Sequence, residues 1–262
     1  MYNFEYANPS TVDEAAAALA AGGQALAGGQ TLLATMKQRL AAPETLIDLG
    51  KISGLSGVKK DGNTLMVGAM TRHMDVANND LVKANIPALA ALAGQIGDRQ
   101  VRARGTLGGS VANNDPAACY PSAVLALNAT VHTNKRTVAA DDFFQGMYTT
   151  ALEEGELITA IAFEIPKRAA YVKFKQPASR FAMVGVFAAE LASGPRVAVT
   201  GAASCVYRQA DMEKALAGNF SAAALDGVSV SANGLNADLH ASAAYRAHLV
   251  KVVAQRAVTA AG

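Results

Sequence analysis

The sequence predicts an α+β chain in three parts: a small βαβ unit, a second unit built mainly on antiparallel strands, and a C-terminal antiparallel sheet with helices on one side. Three observations carry this. Strand and helix periodicities alternate over roughly the first fifty residues, hairpin signals and alternating apolar runs follow, and long strand patterns precede a final amphipathic helix after Ala170. At 262 residues the chain exceeds a typical single domain, and the pattern divides it at 1–56, 57–168 and 169–262.

In the first part, Thr11 stands three residues before Glu14 in capping-box spacing, ahead of an alanine-rich run that stops at Gly22 and Gly23. Gln24 to Ala27 reads as a strand. After Gly28 and Gly29, Leu32, Leu33, Met36 and Leu40 fall at helical spacing, Pro43 ends that helix, and Thr45 to Asp48 is the next strand. The second part opens on a hairpin, Val58 to Val67, turning at Asp61-Gly62. Pro87 then starts a helix over 86–96 that Gly97 closes, Pro121 to Leu127 is helical, Thr130 to His132 is a strand, Asp141 to Phe144 is a helical turn, and Leu157 to Ile165 is a strand ended by Pro166. These features predict antiparallel β with few helices. In the third part, Tyr171 to Lys175, Phe181 to Leu191 and Arg196 to Thr200 read as strands, Ala210 to Leu216 as a helix, and Ser242 to Val258 as a helix with Tyr245, Leu249 and Val252 or Val253 on its apolar face and Arg246, Lys251 and Arg256 elsewhere.

Composition narrows the function classes. With 23 basic and 21 acidic residues the net charge is only +2, so charge implies neither nucleic acid nor a membrane surface as partner. The 51% apolar fraction leans on alanine, and 6% aromatics with no tryptophan predict close helix packing through small side chains. There is no apolar run long enough for a transmembrane segment and no signal-peptide pattern at Met1 to Tyr6, which makes a cytoplasmic location the default expectation. The two cysteines, Cys119 and Cys205, lack C-x-x-C spacing, so a cluster of four thiolates would have to come from another subunit. His73, His132, His240 and His248 are scattered without metal-ligand spacing, and Ser110 and Ser204 lack a nucleophile-elbow context.

Two glycine-rich segments stand out. Gly105 to Pro121 reads GTLGGSVANNDPAACYP, and Ala27 to Leu33 reads AGGQTLL after a short strand. Each Gly-Gly taken alone is usually a plain turn. Together they suit an anion gripped from two sides, because glycine lets amides converge without an intervening Cβ. Neither matches G-x-G-x-x-G or the P-loop. Arg99, Arg102 and Arg104 run straight into the second segment, either as a solvated charge cluster or as holders of an acidic surface or of ligand phosphates.

The motifs AGGQTLL and TLGGSVANNDPAACYPSAVLALNA resemble the paired FAD-binding segments of the flavoprotein (medium) subunits of molybdenum hydroxylases, the family of aerobic carbon monoxide dehydrogenase and the flavin domain of xanthine dehydrogenase. The resemblance spans nearly the whole chain and implies the PCMH-type FAD-binding fold. It implies pyrophosphate and ribityl contacts from Ala27, Gly28, Gly29, Gln30, Thr31 and Leu32, an opposing side from Thr106, Gly108, Gly109 and Ser110, and sugar-chain contacts from Asn114 and Asp115. Phe174 to Arg180, FKQPASR, is similar to the family segment whose lysine approaches the N1/C2=O edge of the flavin, which implies that role for Lys175, against a plain strand-edge lysine. Many family members carry aspartate where Cys119 stands, and here the thiol reads as a small packing residue.

What the resemblance implies is an electron-transfer flavoprotein subunit holding FAD, fed by a small [2Fe-2S] subunit, with substrate hydroxylated in a large molybdenum-pterin subunit, in a dimer of heterotrimers. The residues leave two alternatives open. One is a stand-alone FAD-dependent reductase, for which no proton-donor motif is evident, and the other is an assembly module whose glycine turns bind nothing.

Overall fold

A computed structural model describes residues 1–262. Strands β1 (Glu5–Ala7), β2 (Gln24–Leu26) and β3 (Thr45–Asp48) form a parallel sheet in the order β1-β3-β2, with helices α1 (Val12–Ala20) and α2 (Leu32–Lys37) as crossovers. The capping box is present: the Glu14 amide donates to Thr11 Oγ1 at 3.2 Å, while the Glu14 carboxylate accepts from the Thr11 amide at 3.3 Å. β1 escapes the sequence pattern because three residues are too few to show a period.

The second sheet is antiparallel, in the order β4 (Val58–Asp61), β5 (Thr64–Gly68), β10 (Ile158–Glu164), β6 (Thr130–Thr133), β7 (Thr137–Ala139). Asp61 pairs with Thr64, so the hairpin turns on Gly62, at φ +54°, and Asn63. Helices are more numerous than the sequence pattern predicts. Between β5 and β6 lie α3 (His73–Asn78), α4 (Asp80–Asn85), α5 (Pro87–Gly94), α6 (Arg99–Arg104), α7 (Leu107–Asn113) and α8 (Tyr120–Ala126). After β7 come α9 (Ala140–Phe143) and a small hairpin, β8 (Phe144–Gly146) with β9 (Thr149–Thr150). None of these helices exceeds eight residues, about two turns, so each offers little periodicity to read.

The third sheet runs β11 (Arg168–Lys175), β12 (Ala182–Leu191), β13 (Gly194–Thr200), β14 (Tyr207–Arg208), all antiparallel, followed by α10 (Ala210–Leu216) and α11 (Ala243–Ala261). Nine of the ten residues of β12 are buried because both of its faces are covered. Val184, Val186 and Ala188 pack into a core with Leu249, Val250 and Val253 of α11. Phe187, Ala189 and Leu191, at the alternate positions, join the core of the second sheet with Leu89 of α5 and Val124 of α8. The sheet thus has its own helices on one side and shares its other side with the helices of residues 57–168.

One expectation is corrected at α11. Arg246 lies on the buried face, 5% exposed, whereas Tyr245 is 42% exposed. The Arg246 Nη1 donates to the carbonyls of Met183 at 2.8 Å and Gly201 at 3.1 Å, and Nη2 donates to Asp238 Oδ2 at 2.7 Å. The positive charge tolerates burial because strand-end carbonyls need donors there. Arg246→Met should therefore destabilise the chain by about 2–4 kcal/mol, because it orphans those acceptors. Urea denaturation should show this as a lowered midpoint at unchanged slope.

Candidate functional site

A cavity of about 760 Å³ opens between the three sheets, within the range of small-molecule sites. Both glycine segments line it. The βαβ crossover delivers the first as the turn between β2 and α2; the second is the start of α7. They meet at Gly28. A Cβ there would lie 2.3 Å from the Arg104 carbonyl oxygen and 2.6 Å from Gly105 Cα, so only glycine lets the backbones approach. Gly29 has φ +70°, the left-handed region, and Gln30 Nε2 donates to the Gly28 carbonyl at 2.9 Å, holding the turn.

The two segments differ in what they offer. The amides of Gly28, Gly29, Gln30, Thr31 and Leu32 have no acceptor within the chain. Those of the second segment are taken: Leu107 donates to Thr71 O at 3.0 Å, Gly108 to Ala69 O at 2.8 Å, Gly109 to Thr106 Oγ1 at 3.2 Å and Ser110 to Thr106 O at 3.1 Å. The expectation of bare amides on both sides is thus corrected, since Thr106 is the N-cap of a helix and spends those donors on the fold. Gly108 is a packing glycine whose Cβ would meet Ala69 Cβ at 2.5 Å. Gly109 faces the first segment, with its Cβ position 3.4 Å from Ala27 Cβ.

Of the other expected residues, Asp115 lines the cavity and Asn114 does not. Asn114 is a buried structural residue at φ +43°, with Nδ2 donating to the carbonyls of Gly146 at 2.7 Å and Thr149 at 2.9 Å. Its amide group is committed to the β8–β9 hairpin.

Lys175 also falls outside the cavity. It is exposed, while Lys173, 9% exposed, lines the wall. Strand alternation puts both lysines on one face, but two residues along a strand is about 7 Å. The β11–β12 loop folds back so that Lys173 Nζ donates to Arg180 O at 2.9 Å and Gln95 O at 3.0 Å, and lies 3.4 Å from Cys119 Sγ. A register shift past Phe174 leaves Lys175 beyond this closure. Cys119, 5% exposed, is a packing residue that also lines the cavity.

His73, which the sequence gives no reason to single out, sits at the start of α3 in the cavity wall with Nδ1 buried and unpartnered. Its ring lies 5.3 Å from that of Tyr120. Burial, with a smaller contribution from the Arg102 charge, lowers its pKa from 6.5 to about 4, so the imidazole is neutral near pH 7. Glu156, at another wall, remains ionised: burial alone would raise its pKa, but the Arg136 guanidinium, the Thr133 hydroxyl and the Glu153 amide outweigh that and bring it down to about 2.

The family model described as "FAD binding domain in molybdopterin dehydrogenase" matches residues 2–168, the span that contains both glycine segments. The chain belongs to this family of FAD-binding medium subunits. It is 36% identical to the carbon monoxide dehydrogenase medium chain of Hydrogenophaga pseudoflava and 34% identical to the nicotine 6-hydroxylase medium subunit of Paenarthrobacter nicotinovorans, each alignment covering 98% of this chain and 96% of the relative. Among solved structures, a chain of reconstituted CO dehydrogenase from Oligotropha carboxidovorans superposes with a TM-score of 0.93 at 32% identity, covering 99% of this chain and 98% of that one. A chain of quinoline 2-oxidoreductase from Pseudomonas putida 86 gives 0.89 at 28%, covering 99% and 97%. The PCMH-type fold expected from the resemblance is the observed one.

The His73 pKa fixes a pH dependence. A group whose folded pKa lies below its unfolded value contributes stability above the unfolded pKa and loses it as pH falls through the folded one. Between pH 6.5 and 4 the unfolded chain takes up a proton that folded His73 refuses, at a cost reaching about 3 kcal/mol. His73→Gln should lose correspondingly less stability than the wild type between pH 7 and 4, as read from urea midpoints at each pH.

Proposed function

We propose that the chain is the electron-transfer subunit of a heteromeric molybdenum hydroxylase, holding FAD non-covalently in this cavity, drawing electrons from a small [2Fe-2S] subunit and passing them to a terminal acceptor. Substrate oxidation then belongs to a large molybdenum-pterin subunit, in a dimer of heterotrimers. In this reading 1–56 and 57–168 are the two FAD-binding subdomains and 169–262 closes the site. No helix is long and apolar enough to cross a membrane, and we place the assembly in the cytoplasm.

The observation that carries the reading is the run of five unpartnered amides, Gly28 to Leu32, facing the Gly109 side of a cavity in a chain of FAD-binding family membership. Such a nest of N–H groups satisfies the diphosphate of a dinucleotide without spending a side-chain charge. Ser110 and Asp115 line the wall where a hydroxylated chain would need polar partners, and His73 contributes a neutral ring to that wall. FAD bound here supplies the ability to take up and release electrons. The protein's part is to hold it, to shield it from solvent and to set the local field.

For that field we assign Lys173 in place of Lys175. Its ammonium is buried at the cavity wall, where an adjacent charge is attenuated less than at the surface.

Anaerobic reduction of the purified assembly by its own substrate, with the flavin absorbance of this subunit bleaching, tests the proposal. A chain that neither carries nor takes up FAD would end it, and bleaching by a nicotinamide without any partner would favour the stand-alone reductase. Two narrower outcomes are expected. Gly28→Ala should lower FAD content more than Gly29→Ala, because the first drives two backbones apart while the second meets only the movable Leu33 and Leu26 side chains beyond its φ strain, as measured by bound flavin per chain. Lys173→Met should shift the bound flavin's midpoint potential negative by roughly tens of millivolts, with Lys173→Arg restoring it and Lys175→Met leaving it in place, in a redox titration.

A further inference from the structure

Beside the large cavity lies a second pocket of about 380 Å³ that no part of the proposed function uses. Its eight lining residues include no acidic side chain, and three of them are the cations Arg102, Lys175 and Arg180. It adjoins the large cavity, with Gly97 and Arg180 lining both. We propose that this pocket binds a small, multiply charged oxyanion of the phosphate or polycarboxylate class, distinct from the FAD diphosphate.

The charges are uncompensated. None of the chain's ion pairs includes Arg102, Lys175 or Arg180. The carboxylate next in sequence, Asp98, caps α6 by accepting from the Val101 amide at 2.8 Å and does not line the pocket. Arg102 donates only from Nη1, to the carbonyls of Ile96 at 2.9 Å and Gly97 at 3.1 Å. Those contacts, with the Lys173 bond to Gln95 O, also neutralise the carbonyls that the chain after α5 would otherwise turn toward an anion.

The loop that presents the other two cations is fixed. Arg180 stands at φ +63°, its amide donates to Gln176 O at 2.8 Å, its carbonyl accepts from Lys173, and the Gln176 amide donates to Phe181 O at 2.8 Å. Like charges gathered without a counter-charge repel one another, and guanidinium forks beside an ammonium match the geometry of phosphate and carboxylate oxygens. The same three positions therefore make a poor surface and a good oxyanion site.

The test is titration calorimetry on the full chain saturated with FAD, at constant ionic strength, with inorganic pyrophosphate and citrate as probes. FAD saturation keeps the probes off the amide nest. If the chain holds no FAD, the single variant Lys175→Gln, at a residue that lines this pocket and not the large cavity, supplies the comparison. We expect at least one probe to bind, and the double variant Lys175→Gln/Arg180→Gln to bind it at least tenfold more weakly, about 1.4 kcal/mol, with both chains compared at equal bound flavin. Binding of pyrophosphate alone would assign the phosphate class, and of citrate alone the polycarboxylate class. Lys59→Gln/Lys60→Gln, which removes the same charge from exposed positions on β4, should change the affinity less than twofold. Absence of binding by both probes, equal affinity in the pocket variant, or equal weakening in the β4 variant would each overturn the proposal.

Discussion

The contact on which the site depends is backbone against backbone: Gly28 on the chain from Arg104 to Gly105. It brings the parallel unit of the first fifty or so residues against the helices of the second sheet, with no room for a methyl group between them. Because the approach uses no side chain, the amides that follow Gly28 remain free at the wall of a space that the second segment also lines. The turn is consequently both the seam between two units and the recognition surface. Amides left without acceptors in a half-exposed turn that lines a cavity are available to a bound anion.

Two buried cations share one arrangement. Lys173 and Arg246 are satisfied chiefly by carbonyl oxygens at the ends of helices and strands, Arg246 with one partly exposed carboxylate as well. Carbonyl partners meet a cation's hydrogen-bonding needs without bringing an opposite formal charge. At Lys173 this leaves a net charge at the cavity wall, where full neutralisation by a carboxylate would have cancelled the field it can exert. At Arg246 the same arrangement serves architecture, pinning α11 to the ends of β12 and β13.

Much of the fold was legible in the sequence because its signals are local. The capping box at Thr11 and Glu14, the hairpin at Asp61 to Thr64, the helix from Ala210 and the strand from Leu157 each depend on residues within one turn or one pair of strands. The short helices between His73 and Asn113 were harder to read, since two turns or fewer give periodicity little room and their stability comes from packing. On α11, burial of Arg246 defied its polarity because the partners that make it affordable, Met183 and Gly201, lie on other elements.

By itself the sequence determined the two glycine segments and the α+β class, because glycine positions and apolar periods express steric constraints that hold wherever the chain folds; the family came from the resemblance of its motifs. Only the tertiary structure decided which donors stay free, which of two same-face lysines is enclosed, and that His73 stands in the wall. Those outcomes rest on who else reaches the same place: Thr71, Ala69 and Thr106 occupy the amides of α7, and the Arg180 carbonyl closes over Lys173. Hydrogen-bond competition between elements distant in sequence has no local signature, so a linear reading identifies the segments but not the division of labour between them.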